Sequence, residues 1–317
     1  MEFTADRKRL QEALQIVGGV AMLRTLKDVL QNVYIEARDG TLTLKATDYE
    51  VGIQVKIPEV DIRTEGVVLL PSAQTVGIFR EVVYSQITMK ADGTRCEIRA
   101  GRSRFRVVQY DPEHFPGLPG FPGETTVEVK GEEFIRMIRH VSFASAEERT
   151  RYAFDGIKLL MSGDRMRMVS TDGKRLSHYW IALEKPVETE VNALLPARAM
   201  CHFIKALGAG SGSCELGMEG NRFGVRSEHV EVYAQQIEGS FPNFAPLLDK
   251  ELPRRVTLDV EELLSALRKA ALFAGADARV VRMKLEAVNL NVSSNVADYG
   301  DAETDLAVEY DGDAVEL

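Results

Sequence analysis

Few residues in this chain invite a chemical reading, and they are scattered. Gly208-Ala209-Gly210-Ser211-Gly212-Ser213 has the small-residue composition of a loop that cradles phosphate. Such a loop works by aiming backbone N–H groups at phosphate oxygens. It needs a strand before it and a Lys-Ser or Lys-Thr pair to close it. Here a helical pattern comes before it and neither pair follows, so it reads as a helix-to-strand connection. The five histidines, His114, His140, His178, His202 and His229, never take the i, i+4 spacing that turns two imidazoles toward one metal. Ser170-Thr171-Asp172-Gly173 inverts the aspartic-protease order, and the related Thr47-Asp48 lacks the glycine. Both read as strand ends with turn chemistry. Cys96, Cys201 and Cys214 form no CxxC pair and are odd in number. They read as reduced cysteines, partly core, with no disulfide framework or zinc ribbon. No GxSxG or Cys-His pattern stands out. The expectation is a protein without catalytic residues, metal or cofactor, whose work is binding.

What positions these residues is an internal repeat. Val68-Leu69-Leu70-Pro71-Ser72-Ala73 recurs as Ala193-Leu194-Leu195-Pro196-Ala197-Arg198, with the prolines 125 apart. Phe115-Pro116 recurs as Phe241-Pro242, 126 apart, and Thr47-Asp48 as Thr171-Asp172, 124 apart. Three landmarks keep one order and nearly one offset, which chance matches of short strings do not do. The opening of the unit, a short strand and then an amphipathic helix, occurs three times, over residues 3–14, 127–138 and 256–267. Leu10, Phe134 and Leu263 take the same apolar helix position. A period this long predicts three domains rather than a solenoid: 1–122, 123–250 and 251–317. By the same spacing a third Leu-Leu-Pro is expected near residue 319, so the third unit is expected to fall about fifty residues short of the others.

Each unit also looks doubled inside: strand, helix, several strands, Leu-Leu-Pro, a second helix, more strands. Helices are predicted near residues 6–16, 73–83, 132–143 and 197–207. Residues 33–37 and 41–45 alternate polar and apolar with period two, and Asp39-Gly40 between them is a hairpin signal. Gly163-Asp164 plays that part in the second unit. The fold class is α+β, antiparallel sheet with a few helices on one face.

Composition narrows the function. The apolar content of 45% is that of a globular protein. No stretch approaches the ~18 apolar residues of a membrane helix. Residues 1–10 have no apolar run behind their charges, so no export signal is expected and the cytoplasm is the expected location. The net charge of −9 argues at first against nucleic acid. Its distribution says otherwise: the predicted helices sum to +3 and the remainder to −12. Two accounts fit. Acidic residues early in a helix and basic ones late complement its dipole. Alternatively, all the helices form one basic surface suited to sequence-independent contact with phosphates.

The ordered repeats, with Gly101-Arg102-Ser103-Arg104-Phe105, Phe115-Pro116, Arg151-Tyr152, Asp155-Gly156, Thr171-Asp172-Gly173-Lys174-Arg175-Leu176 and Phe241-Pro242, resemble the bacterial DNA polymerase III β clamp family from Met1 to Leu317. The resemblance implies a head-to-tail homodimeric ring of six similar domains, helices lining the hole and sheets forming the rim. Such a ring retains double-stranded DNA by topology, without sequence specificity. It tethers the polymerase at high effective concentration, catalyses nothing, and is opened by an ATP-dependent loader. A protein-interaction scaffold built from the same repeats, never touching DNA, is the alternative. Polymerase and clamp-loader subunits would insert short linear motifs into a pocket matched here by Phe154, Thr171, Gly173, Arg175, Leu176, Pro242 and Leu247. Lys174 stands where the family often has histidine, and Pro246 where a basic residue can stand. Phe154 and Leu176 also fit plain core packing. Carry-over places DNA contacts at Arg24, Arg151 and Tyr152, with Arg80 and Arg198 on helices. In the Glu147-Glu148-Arg149 loop, Arg149 is the candidate. The ring interface would set Phe105 and Val107 against Leu272 and Phe273, although the last two equally suit the core of their own unit.

Overall fold

Period-two segments of the chain pair as antiparallel ladders, and its 3.6-period segments lie across them as helices. The computed structural model describes residues 1–21, 27–146, 153–208, 212–252, 254–274, 280–296 and 300–317. The first repeat runs β1 (Glu2–Asp6), α1 (Arg7–Ala21), β2 (Asn32–Arg38), β3 (Thr41–Thr47), β4 (Val51–Ile57), β5 (Asp61–Thr64), β6 (Gly66–Pro71), α2 (Ser72–Glu81), β7 (Gln86–Ala91), β8 (Arg95–Ala100) and β9 (Ser103–Val108). The second runs β10 (Thr125–Lys130), α3 (Gly131–Ser142), β11 (Gly156–Thr171), β12 (Leu176–Pro196), α4 (Ala197–Leu207), β13 (Ser213–Glu219), β14 (Arg222–Arg226) and β15 (Val230–Gln235). Then follow α5 (Ala245–Leu248), α6 (Val260–Ala271), β16 (Arg282–Glu286), β17 (Asn289–Val296), β18 (Gly300–Ala307) and β19 (Val315–Glu316).

The helices start within a residue or so of their predicted positions. α1 runs five residues past the predicted end, because Val17, Val20 and Ala21 continue its buried stripe. The Asp6 side chain accepts the Arg9 N–H at 2.9 Å, and Asp259 accepts those of Glu261 and Glu262. These carboxylates satisfy amides that have no partner inside the helix. Asp39 and Gly40 take φ of 49° and 69°, the two-residue turn that matches strand twist.

The repeat is visible in the ladders. Residues 32–37 pair with 66–71 and 42–47 with 52–57. In the second repeat 156–161 pair with 191–196, and 165–171 with 176–182. Gly163, at φ 56°, is where the second ladder changes register.

Residues 1–242 and 243–317 form two compact units. The first unit holds two repeats because one eight-stranded sheet, in the order β10-β13-β14-β15-β4-β3-β2-β6, runs through both. Its seam is the β15–β4 ladder, with Val232 opposite Ile53 and Tyr233 opposite Gly52. A five-stranded sheet, β5-β1-β7-β8-β9, completes the first repeat. α1 packs against both α2 and α4, and α4 against α3. Leu10 and Phe134 are fully buried in this unit's core. The second unit is a sheet in the order β18-β17-β16-β19 with α6 laid on it; Ala266, Ala270, Leu290 and Val292 are buried between them. Leu263, the counterpart of Leu10, is half-buried at the margin of that core.

Candidate functional site

The Thr-Asp-Gly string closes the hairpin between β11 and β12. Thr171 Oγ1 donates to the Arg175 carbonyl at 2.6 Å and accepts the Gly173 N–H at 3.0 Å. Asp172 Oδ1 accepts the amides of Lys174 and Arg175, each at 3.0 Å, and Oδ2 accepts the Arg175 guanidinium at 3.0 Å. These bonds, led by the two amides, hold the Asp172 carboxyl below its ordinary value. The first repeat builds the same turn from Thr47, Asp48 and Val51. Gly173 at φ 88° occupies the position where Tyr49 takes φ 73°. Here, then, is turn chemistry and not an acid–base pair.

The glycine also makes room. A Cβ on Gly173 would stand 3.4 Å from the Phe154 ring, so Phe154 lies flush on the turn. Ser170 Oγ donates to the Val141 carbonyl and Ser177 Oγ to that of His140, which ties the turn to the last residues of α3. Carbonyls at a helix C-terminus have no intrahelical partner, so these hydroxyls meet a need already present. The Arg175 guanidinium lies 5.7 Å above the exposed Phe143 ring, a contact sequence reading missed. The segment leading to Pro242 passes close by: a Cβ on Gly239 would stand 3.2 Å from Ala153. Phe154 and Leu176 are half-buried, Thr171 is buried, and Gly173, Lys174 and Arg175 are exposed. The structure thus brings together Phe154 and residues 171–176. Pro246 and Leu247 lie in α5 of the other unit, with Leu247 exposed.

Of the DNA candidates, Arg24, Arg149, Arg151 and Tyr152 lie outside the described residues. Arg80 and Arg198 are already paired. Arg80 meets Glu81 at 3.1 Å, while Arg198 reaches Glu50 and lies 3.9 Å from Asp48. Exposed basic residues on these helices include Lys8, Arg9, Arg136, Arg139 and Lys205. α3 and α6 each begin with two glutamates and end basic, as the dipole account requires.

Val107 is buried and Phe105 half-buried against the first unit's own core, because on β9 they face inward. Arg104, Arg106 and Val108 point outward. Leu272 is exposed, and Phe273 reaches toward Gly300. β9 and β18 are each the end strand of their sheet. Around β9, Arg99, Arg104 and Arg106 share one carboxylate, Glu97. Those arginines, Arg99 most of all, hold Glu97 below its ordinary value. β18 exposes Asp301, Glu303 and Asp305. Asn291 donates to Glu303 at 2.7 Å, and Asn289 and Asn291 each to Asp305 at 2.8 Å, which fixes two of these carboxylates in place. Alternation of charge along both strands was the available signal.

Little else suggests chemistry. Burial pushes the Cys96 and Cys214 thiols up to about 12, so neither is a thiolate at neutral pH. Among the described residues no three His, Cys, Asp or Glu side chains converge on a possible metal position. No helix among them is long and apolar enough to cross a membrane.

Three family models match the chain in succession: DNA polymerase III beta subunit N-terminal domain over residues 1–119, central domain over 128–243 and C-terminal domain over 246–317. The beta sliding clamp of Haemophilus influenzae is 27% identical over 318 residues, spanning all of this chain and 87% of that protein. That of Chlamydia pneumoniae is 25% identical over 320 residues, spanning all of this chain and 86% of its own length. The crystal structure of the DNA polymerase III subunit beta from Pseudomonas aeruginosa superposes with a TM-score of 0.91 at 25% identity, over the whole of this chain and 87% of that one. The Bacillus subtilis sliding clamp, 20% identical, shares the fold with a TM-score of 0.93 over 100% of this chain and 86% of its own.

Proposed function

We propose, from the premise that this chain belongs to the DNA polymerase III beta subunit family and is a DNA sliding clamp, that two copies join head to tail around duplex DNA. One observation carries the ring. Within the chain, β15 of the second repeat adds to the edge of β4 of the first. The ladders make β9 the counterpart of β15, since Phe105 opposite Ile98 matches Val232 opposite Val225. By repeat order β18 is the counterpart of β4. Pairing β9 of one copy with β18 of the next repeats the seam already present. It also sets Arg104 and Arg106 against Asp301, Glu303 and Asp305. The contact joins unlike surfaces, so it closes only where its angles sum to a full turn. The repeats 1–122, 123–250 and 251–317 are the domains of this reading.

The row of helices then faces the duplex, and DNA is held by enclosure rather than by tight contact. Exposed cations on α1, α3 and α4 touch phosphates without reading bases, joined by Arg24, Arg149, Arg151 and Tyr152. Arg80 and Arg198, bound to carboxylates, contribute less. The surface formed by Phe154 and residues 171–176, with Pro242 of the same unit, receives short apolar-anchored motifs of the polymerase and the clamp loader. The clamp itself performs no catalysis and works in the cytoplasm.

The test is retention. Protein loaded on a nicked circular duplex by a clamp loader stays with the circle through gel filtration and leaves when the circle is linearised. Equal retention on circular and linear DNA would overturn enclosure, and no retention on either would remove the DNA reading of this chain.

A further inference from the structure

The first and second repeats differ at one strand edge. In the first, β5 covers the outer edge of β1, with Ile62 opposite Phe3 and Asp61 opposite Thr4. In the second, β10 is the counterpart of β1, yet among the described residues it pairs on one side only, with β13. Beside it lies a groove of about 820 Å³, bounded by residues 184–189 of β12 and running over residues 213–215 of β13 and 226–228 at the end of β14. The sequence explains why that wall does not close. Counting back from the shared Leu-Leu-Pro, Pro186 stands where Asp61 stands. A proline has no N–H to give a ladder. Arg63, which meets Glu2 at 3.3 Å across the first-repeat edge, is replaced by Glu188. Glutamates line both walls, Glu124 and Glu128 on one and Glu184 and Glu188 on the other, and they outnumber Lys185 between the latter two, so the net effect across the groove is repulsion. Glu215 and Glu228 add to the charge; Arg226 is already held by Glu215. Lys130 reaches Glu184 at 3.6 Å and bridges the two walls at one point.

We propose that the free edge of β10 takes an extended, lysine- or arginine-bearing segment of a partner protein as an added strand, in the place that β5 fills on β1. An open edge supplies backbone donors and acceptors for strand addition. The glutamate walls select a basic segment over an acidic one. Among the described residues no metal position competes for these carboxylates. The groove is made wholly from the second repeat and is separate from the surface at residues 171–176.

The experiment uses the full-length chain and a fluorescein-labelled peptide of about eight residues alternating lysine and valine, the length of a typical strand. Saturable binding is expected by anisotropy, with new hydrogen-exchange protection at residues 125–130. Reversing Glu184→Lys and Glu188→Lys together weakens it about tenfold or more, or 1.4 kcal/mol. Pro186→Asp, restoring the first-repeat residue, favours closure of the wall and also weakens binding. N-methylation of alternate peptide amides keeps the charge but removes donors, and it too weakens binding. Undiminished affinity for the methylated peptide, or for the charge-reversed protein, overturns the proposal. So does binding without protection at 125–130. Protection there that rises with protein concentration in the absence of peptide would assign the edge to a second copy instead.

Discussion

Phe134 shows what a single side chain does in this molecule. It is fully buried, with the rings of Phe203 and Phe223 at 6.5 and 6.4 Å, and it joins α3 to α4 and to the shared sheet. Phe134→Ala is expected to cost about 3–5 kcal/mol, read from urea unfolding, because the cavity cannot collapse between fixed elements. His202 tests electrostatics at the same scale. It is buried on α4, facing Gly19 of α1. Burial first, then Lys205 and Arg198 against the opposing pull of Asp48, pushes its imidazole below the ordinary value. The folded chain therefore keeps it neutral while the unfolded chain takes a proton below about pH 6.5. This contribution is intact above that pH and is lost as pH falls toward the depressed value. The melting temperature should drop more for the natural protein than for His202→Gln between about pH 7.5 and 5.5; parallel curves would refute it. At residue scale the Thr171-Asp172-Gly173 turn was legible, since its bonds span only a few residues. The pairing of Arg198 with Asp48 and Glu50 was not, since the partners lie in different repeats.

At the scale of elements, the decisive feature is the β15–β4 seam. A Cβ on Gly52 would overlap the Tyr233 ring, which crosses it in the facing strand. Gly52→Ala is expected to loosen the seam by about 1–3 kcal/mol, as overpacking does. Faster hydrogen exchange at residues 51–55 and 230–234 would report it. Adding Tyr233→Ala should return most of that protection, whereas a purely conformational role for Gly52 would leave it unrestored. Helix positions, the Asp39-Gly40 turn and the order of elements were readable from periodicity and turn residues. The seam was not. Strand pairing between repeats depends on which edges meet, and alternation along each strand is the same whichever neighbour it has.

The whole-molecule prediction concerns ring closure. If β9 of one copy adds to β18 of the next, Arg104→Glu with Arg106→Glu should convert dimers to monomers in sedimentation velocity. Glu303→Arg with Asp305→Arg in a mixed partner should restore association. Dimers of the natural protein should weaken with added salt, since the charges are exposed at a strand edge. A reversed protein that remains dimeric would move the interface elsewhere. Sequence carry-over named Phe105 and Val107 for this contact. Within one chain these two pack on the inner side of β9 while Arg104, Arg106 and Val108 stand on its outer side, because neighbouring residues on a strand face opposite ways, so the charge reversal tests the outer side of the same strand.

The sequence by itself determined the repeats, the α+β elements, the turn at residues 171–175 and the family resemblance, all of which rest on local spacing and residue type. Only the tertiary structure decided that two repeats share one sheet, that Arg198 is bound to the carboxylates of Asp48 and Glu50, and that β10 keeps an open edge where β1 does not. The physical reason is common to all three. Each depends on which groups far apart in the chain come within reach of a hydrogen bond or an ion pair, and that distance is set only when the elements pack.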